Sequence, residues 1–196
     1  LLQKRYDGQL DEKAQSYIHF AVDGATRMKV LINDLLEFSR TSSNTVAYSD
    51  VNITMILEDV KKTFREDLKE VESDIFFSDL PTIKANNIQM SQLFQNLIGN
   101  AIKYRSEAAP QIHISATTTD THWIFSVKDN GQGIDQKYYE KIFGMFQRLH
   151  SNATHKGTGI GLALCKKIAE GHGGDIWLTS EPGKGSNFFF SIAKQA

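Results

Sequence analysis

Two glycine-rich segments constrain the fold of this chain more than any other feature. The first, at residues 129–134, reads Asp-Asn-Gly-Gln-Gly-Ile and follows an alternating run, residues 121–128, that predicts a strand. The second, at residues 157–162, reads Gly-Thr-Gly-Ile-Gly-Leu and continues into a helical pattern to about Gly171. A carboxylate at a strand end can accept from an exocyclic amine, and free N–H groups at a helix N-terminus can hold phosphates. Together the two segments predict a nucleotide site.

The stretch between the glycine segments predicts a helix followed by a loop. Residues 138–146 have a helical pattern, and residues 147–156 form a polar stretch that is poor in glycine. The length and composition of this stretch are typical of a mobile lid over a binding site.

Charge and cysteine content exclude several classes of protein. The 196 residues carry a formal net charge of −1, which argues against a nucleic-acid partner or a polybasic membrane surface. No apolar run approaches the ~18 residues of a transmembrane helix, and no signal peptide is visible. The single cysteine excludes a disulfide framework and favours a reducing compartment, so we expect a cytoplasmic location without membrane contact. Because the chain starts at Leu1 rather than Met, we expect it to be part of a longer protein.

A long helix is predicted from Asp11 to about Thr41. Its apolar or small residues alternate in steps of four and three, as in a heptad seam, at Ala14, Ile18, Ala21, Ala25, Met28, Ile32, Leu35 and Ser39. Such a seam favours a helical hairpin that dimerises into a four-helix bundle. The alternative is one amphipathic helix packed on its own domain.

The remaining pattern mixes strands and helices without strict alternation. We place a linker at residues 42–45, which separates a helical part, residues 1–42, from a second domain, residues 46–196. That domain should contain helices at 53–68 and 87–104 and strands at 46–49, 75–77, 82–85, 112–117, 123–128, 175–179 and 187–192. The fold class is therefore α+β, a two-layer α/β sandwich with a mixed sheet and helices on one face.

The helix at 87–104 carries a line of polar side chains. Gln92, Asn96, Asn100 and Lys103 are spaced four, four and three apart, which puts them on one face. The opposite interpretation is an ordinary amphipathic helix whose polar stripe faces water. Combined with the two glycine segments, a functional face is favoured, since amide oxygens suit Mg²⁺ that bridges substrate phosphates.

These motifs resemble those of sensor histidine kinases in order and spacing. Residues 96–104 (Asn-Leu-Ile-Gly-Asn-Ala-Ile-Lys-Tyr) resemble the N box, and residues 129–134 and 156–162 resemble the first two glycine boxes. Residues 142–149 resemble the F box, and residues 181–188 (Glu-Pro-Gly-Lys-Gly-Ser-Asn-Phe) resemble the last glycine box. The resemblance is to the catalytic ATP-binding domain, of GHKL ATPase type, in phytochrome-like and related PAS-coupled kinases. Residues 35–40 (Leu-Leu-Glu-Phe-Ser-Arg) resemble the second helix of the dimerisation and phosphotransfer hairpin.

The resemblance implies a role for each matching residue. Asn100 would coordinate Mg²⁺, Asp129 would accept from the adenine amine, and Tyr104 would lie against the base. Asn96, Lys103 and Arg148 would act at the phosphates as the catalytic residues. The other nucleotide contacts implied are Gly131, Gly133, Ile134, Phe146, Gly157, Thr158, Gly159, Ile160, Gly161, Leu162 and Ser186.

The implied function is binding of Mg-ATP and transfer of its γ-phosphoryl to a histidine, for relay to a response-regulator receiver domain by a homodimeric kinase. One departure is large, because no histidine here has the adjacent acid of the family's phosphoacceptor. His19, in Ile-His-Phe, lies in the second hairpin helix and is interpreted as a structural residue.

Two other functions remain as alternatives. One is a GHKL conformational ATPase. This alternative is disfavoured because the helix at 87–104 lacks a glutamate that could activate water. The other is a non-catalytic nucleotide-binding dimerisation module, which is disfavoured because all three glycine boxes are intact. A P-loop is excluded, because no Gly-x-x-x-x-Gly-Lys-Ser/Thr occurs.

Overall fold

The computed structural model describes Tyr6 and residues 10–43, 48–71, 73–147 and 157–194 of the chain, with the side chains of 40–43 left aside. Its α-helices are α1 (Glu12–Ser43), α2 (Ile53–Thr63), α3 (Arg65–Glu70), α4 (Asn87–Lys103) and α5 (Gly161–Gly171). Its strands are β1 (Ser49–Asn52), β2 (Asp74–Phe77), β3 (Thr82–Ala85), β4 (Gln111–Thr118), β5 (His122–Lys128), β6 (Ile176–Glu181) and β7 (Gly185–Ala193). Among the helices in these ranges, none combines the length and hydrophobicity that crossing a lipid bilayer requires.

A five-stranded mixed sheet forms one of the two layers. The strand order is β2-β4-β5-β7-β6, with β2 and β4 parallel and the other neighbours antiparallel. Helix α4 packs on this sheet through Phe94, whose ring meets Phe125 at 6.0 Å and Phe190 at 5.4 Å between centroids. These rings are fully buried and contribute aromatic packing beyond their area. The predicted fold class, an α+β sandwich with a mixed sheet, is confirmed.

Helix α1 begins close to the predicted position. The Asp11 carboxylate accepts a hydrogen bond from the Ala14 N–H at 2.7 Å and so caps the first turn. The helix extends through Ser43, so that the first two residues assigned to the linker are helical. Much of the heptad seam is exposed, with Met28 at 59% and Ile32 at 57% of their accessible surface. Residues 1–5 and 7–9, which precede this helix, lie outside the described residues.

The segment before α4 differs from its prediction in three ways. The strand predicted at 46–49 is instead β1, Ser49–Asn52, which pairs antiparallel with β3 in a separate two-stranded sheet. Asn52 then caps α2, because its side chain accepts from the Met55 N–H at 3.1 Å. The single helix predicted at 53–68 is broken at Phe64, which ends α2 and precedes α3. Its ring contacts α4 beside Gly99, so a tertiary contact overrides the helical pattern.

The helix predicted at 138–146 is also wrong. This segment forms two short 3₁₀ helices, Gln136–Tyr138 and Lys141–Phe143, and then turns extended at Gly144. The Tyr139 hydroxyl bonds to both backbone groups of Ser180 on β6, which holds the segment against the sheet edge. This attachment replaces a regular helix.

His172 joins the end of α5 to the start of α4. The Asn86 N–H donates to Nε2 at 3.1 Å, so the ring proton must sit on Nδ1, which donates to the Ile168 carbonyl at 2.8 Å. Asn86 in turn caps α4 by accepting from Gln89 N–H at 3.0 Å. Burial lowers the pKa of His172 below its ordinary value, although the Ile168 bond opposes this effect. The neutral ring therefore fixes the relative position of two helices.

This arrangement makes folding stability depend on pH near neutrality. Because the folded pKa of His172 is lowered, its stabilising contribution is complete above the unfolded value of 6.5. This contribution is lost as pH falls towards the folded pKa, at up to about 1.4 kcal/mol per pH unit, since the unfolded chain takes up the proton first.

Thermal melts between pH 8 and pH 5 should show this loss of stability. His172→Gln should be less stable overall by about 1–3 kcal/mol but should lack that component of the decrease. His113→Gln, on an exposed position of β4, should retain it, and an unchanged profile in His172→Gln would contradict the assignment.

Candidate functional site

A cavity of about 650 Å³ lies between α4, the start of α5 and the loop after β5. Most residues that the sequence assigned to the nucleotide line it together: Asn96, Asn100, Lys103, Tyr104, Asp129, Gly133, Ile134, Gly157, Thr158, Gly159, Ile160, Gly161, Leu162 and Ser186. Gly131 and Phe146 are outside the lining, and Phe146 is 58% exposed with a positive φ of 61°. Arg148 and the rest of the predicted lid at 148–156 lie outside the described residues.

The Asp129 carboxylate lies at one end of the cavity. Its Oδ1 accepts from the Gly131 N–H at 2.8 Å and from the Ser186 N–H at 3.1 Å. Burial raises the pKa of this carboxyl above its ordinary value, and the two N–H bonds oppose that rise. Both bonds use the same oxygen, and Oδ2 has no partner within the described part of the chain. Asp129 can therefore accept a hydrogen bond from a donor in the cavity.

Two glycines allow the loop after β5 to approach its neighbours. A Cβ at Gly131 would lie 2.6 Å from the Tyr104 carbonyl oxygen, which accepts from the Gln132 N–H at 3.0 Å. Gly133 has a φ of +70°, and its Cβ would lie 2.0 Å from the Glu181 carbonyl oxygen. Only glycine fits both positions. Both glycines approach other backbone segments of the same chain. These contacts hold the loop after β5, and with it Asp129, in place.

The end of the cavity beside α5 carries hydrogen-bond donors and a cation. Helix α5 starts after Ile160, which makes no side-chain cap, and its first turn carries no acidic residue. Its N-terminal N–H groups and the helix dipole therefore favour a bound negative charge. Lys103 supplies a cation at this end. Its Nζ lies close to Gly157, because a Cβ built on that glycine would be only 2.5 Å from Nζ.

The amide face of α4 reaches the same end of the cavity. Asn96 donates through Nδ2 to the Gln92 carbonyl at 3.0 Å, and among the described residues its Oδ1 accepts no hydrogen bond. This Oδ1 faces the start of α5, where a Cβ on Gly161 would lie 2.7 Å away. Asn100 lies one turn further along the same face and also lines the cavity. The functional interpretation of this face is consistent with the position of its side chains.

Two acidic residues that line the cavity were not predicted from the sequence. Asp34 and Glu37 come from α1. The Thr158 hydroxyl donates to Asp34, and the Gln92 amide donates to Glu37 at 2.6 Å. Lys167 adds a bond from Nζ to the Phe38 carbonyl at 2.8 Å. The C-terminal part of α1 thus contacts α4, α5 and the residues just before α5, although the heptad pattern contains no signal for these contacts.

The matching family model is described as "Histidine kinase-, DNA gyrase B-, and HSP90-like ATPase" and covers residues 85–196. These residues include α4, the loop after β5, the start of α5 and the β6–β7 pair, which together build the cavity. The chain belongs to this ATPase family.

A curated relative matches this chain over nearly its whole length. The chain is 46% identical over 192 residues to "Cyanobacterial phytochrome A" from Nostoc sp. (strain PCC 7120 / SAG 25.82 / UTEX 2576). This match covers 98% of the chain but only 25% of the relative. The chain therefore spans about a quarter of the length of that relative. The resemblance to phytochrome-like sensor kinases is confirmed.

Solved structures of histidine kinases share the fold of this ATPase domain. Full-length ShkA in complex with AMPPNP matches with a TM-score of 0.76 and 27% identity, over 95% of this chain and 40% of that chain. Histidine kinase ThkA in complex with the response regulator TrrA matches with a TM-score of 0.72 and 26% identity, over 99% of this chain and 56% of that chain.

Proposed function

We propose that this chain is the ATP-binding catalytic part of a sensor histidine kinase. It binds Mg-ATP, and the γ-phosphoryl group passes to a histidine and then to a response-regulator receiver domain. The observation that carries the proposal is a single cavity with two chemically different ends. Asp129 offers an acceptor at one end, and the uncapped start of α5 offers N–H donors at the other.

Asp129 selects the base in this proposal. An ionised Oδ2 can only accept, so it pairs with the exocyclic amine of adenine and repels the carbonyl oxygen that guanine carries at the same position. Tyr104 and Ile134 line this part of the cavity and provide apolar contact with the base. Ser186 lies beside the carboxylate, to which its N–H is bonded.

The triphosphate lies towards α5 in this proposal. The N–H groups after Gly159, the Lys103 ammonium and Arg148 of the lid bind its oxygens. The amide oxygens of Asn96 and Asn100 fit Mg²⁺, a hard cation that keeps waters and phosphate oxygens as its other ligands. Asn100 would hold the ion directly, and Mg²⁺ when bound neutralises phosphate charge. Gly157, Gly159 and Gly161 allow the lid to move relative to α5.

The chemistry of the transfer depends mostly on position and charge. An imidazole nitrogen forms the new N–P bond, the bond to the β,γ-bridging oxygen breaks, and ADP leaves. The accepting histidine must give up its N–H proton, for which the family uses an adjacent acid. None of the six histidines of this sequence has an aspartate or glutamate next to it, so in this proposal the acceptor lies outside it. The conformational ATPase remains disfavoured, because α4 carries no carboxylate.

We also propose the assembly in which this chain works. Residues 1–42 belong to the dimerisation hairpin and residues 46–196 to the catalytic domain. The response regulator is the phosphate acceptor that follows, as the ThkA–TrrA complex suggests. A cytoplasmic location suits a chain that consumes ATP and whose one cysteine, Cys165, is buried and unpaired.

Adenine recognition can be tested at Asp129. Asp129→Asn turns an amide N–H₂ or a neutral oxygen towards the base, and the affinity for ADP should fall by about tenfold or more, as for a lost bond to a charged group. The melting temperature at pH 7 should not fall, because burial of the charged carboxyl already costs folding free energy, as the raised pKa shows. Isothermal calorimetry with ADP and GDP measures the affinities, and a thermal melt measures the melting temperature. Asp135→Asn is the control, because Asp135 is an exposed carboxylate paired with Lys137. This variant should bind ADP normally. Equal affinity for GDP and ADP would sink the assignment.

Dimerisation can be tested on the exposed seam of α1. Ile32→Glu puts a charge in the seam and should dissociate the dimer, whereas Val30→Glu changes an equally apolar residue off the seam and should not. Light scattering against concentration measures the mass. The effect should be clearest in a version extended upstream of Leu1, which completes the hairpin. A strictly monomeric extended protein would refute the dimer.

Phosphotransfer can be tested with γ-labelled ATP and Mg²⁺. The chain alone should form no acid-labile phosphoprotein, because positioning cannot replace a missing nucleophile. A separately supplied hairpin that carries a histidine followed by an acid should become labelled, and Asn100→Ala should abolish that label. Labelling of the isolated chain that disappears in His19→Gln would show that the acceptor is misplaced here.

A further inference from the structure

The Ser180 hydroxyl lies behind the wall of the cavity, at the end that holds Asp129. Its Oγ is 2.8 Å from the Gly185 carbonyl oxygen, 2.8 Å from the Ile134 nitrogen and 2.9 Å from the Ser186 Oγ. Ile134 and Ser186 line the cavity, whereas Ser180 does not. Ser180 can therefore act on a bound molecule only through its neighbours.

The three partners determine where each hydroxyl proton lies. A serine hydroxyl donates one proton and accepts at two lone pairs. The Gly185 carbonyl can only accept, so it takes the Ser180 proton, and the Ile134 N–H can only donate, so it occupies one lone pair. The remaining lone pair of Ser180 faces Ser186, which must donate its own proton there. Ser186 then has only lone pairs left for the cavity.

The backbone around Ser180 is held from the other side. The Tyr139 hydroxyl accepts from the Ser180 N–H at 2.6 Å and donates to the Ser180 carbonyl oxygen at 2.5 Å. Because β6 is the edge strand of the sheet, Tyr139 satisfies backbone groups that no further strand would pair. Ser180 also stands opposite Ser186 in the β6–β7 register. The Ser180 hydroxyl is thus fixed by both the sheet and the 3₁₀ segment.

This arrangement gives the base end of the cavity one kind of polar group. Asp129, when ionised, and Ser186 both present acceptors, and their positions are coupled, since the Ser186 N–H donates to Asp129 Oδ1. A purine with an amine at C6 offers protons to such a surface, directly or through a water. A purine with an oxygen at C6 instead places a hydrogen-bond acceptor against the acceptors of Asp129 and Ser186, which disfavours its binding.

We propose that Ser180 is a specificity-determining positioning residue, whose hydroxyl holds the Ser186 proton away from the cavity and so favours 6-aminopurine over 6-oxopurine nucleotides. This inference rests on the adenine-nucleotide site proposed above. It assigns part of the base selectivity to a residue that does not touch the base.

The test compares ADP with inosine diphosphate, which carries an oxygen in place of the 6-amine. Calorimetry on the whole chain should show that Ser180→Ala reduces the preference for ADP by about tenfold, the size of one hydrogen bond. The freed Ser186 proton can then turn to the oxygen at C6. Ser180→Thr keeps the hydroxyl and should restore the preference. Ser180→Cys keeps the side-chain volume with a weaker hydrogen-bonding group, and should shift the preference in the same direction if the alanine variant does not fold.

Two controls separate positioning from a structural effect. Ser191→Ala removes a buried serine hydroxyl on β7, the strand of Ser186, which accepts from the Asp175 N–H at 2.9 Å. This variant should lower the melting temperature without changing the preference. In a Ser186→Ala background, Ser180→Ala should change the preference no further, because its effect passes through Ser186.

The outcomes also distinguish this inference from the proposed function. Failure of the unmodified chain to bind ADP would overturn both. Preference for ADP in the unmodified chain, together with the same preference in Ser180→Ala, would overturn the role of Ser180 alone. An equal shift with and without the Ser186 hydroxyl would do so as well.

Discussion

Burial of one stripe of α4 against the sheet is the constraint on which the rest of the site depends. Leu93, Phe94 and Leu97 are at most 1% exposed, and Phe94 meets two aromatic rings of the sheet. Truncation of such a residue costs about 3–5 kcal/mol, so the rotation of the helix is strongly fixed. With 3.6 residues per turn, burying this stripe turns Asn96 and Asn100 into the cavity. Packing energy far exceeds any single contact of these amides and decides where they point.

The Asp129 end of the cavity carries a cost in stability that the surrounding backbone offsets. Burial disfavours the charged form of Asp129, and two backbone N–H groups on one oxygen recover part of that loss. Those N–H groups are correctly placed because Gly133 and Gly185 allow backbones to approach where a Cβ would lie about 2 Å from a carbonyl oxygen. The carboxylate is thus held by main-chain geometry, which side-chain motion cannot easily disturb. A charge prepared in this way is typical of a binding site rather than of a structural core.

Sequence patterns predicted the regular elements well and the irregular ones poorly. Strand β3 and helix α4 were located almost to the residue, because their periodicity coincides with the face they bury. The segment around Tyr139 has a helical pattern but forms 3₁₀ turns, since its hydroxyl bonds to β6. The break at Phe64 has a similar cause, a contact with α4. The roles of Arg148 and the lid stay predictions from the family resemblance.

The sequence by itself determined the chemistry of the cavity, because the glycine segments, the amides of α4 and Asp129 are recognisable from residue type and spacing. Only the tertiary structure decided which further groups meet them. Asp34 bonds to Thr158 across 124 residues of chain, and Tyr139 bonds to Ser180 across 41. Periodicity reports which face of an element is buried or polar, but it carries no information about the element that face will meet. That choice follows from the packing of all the layers together.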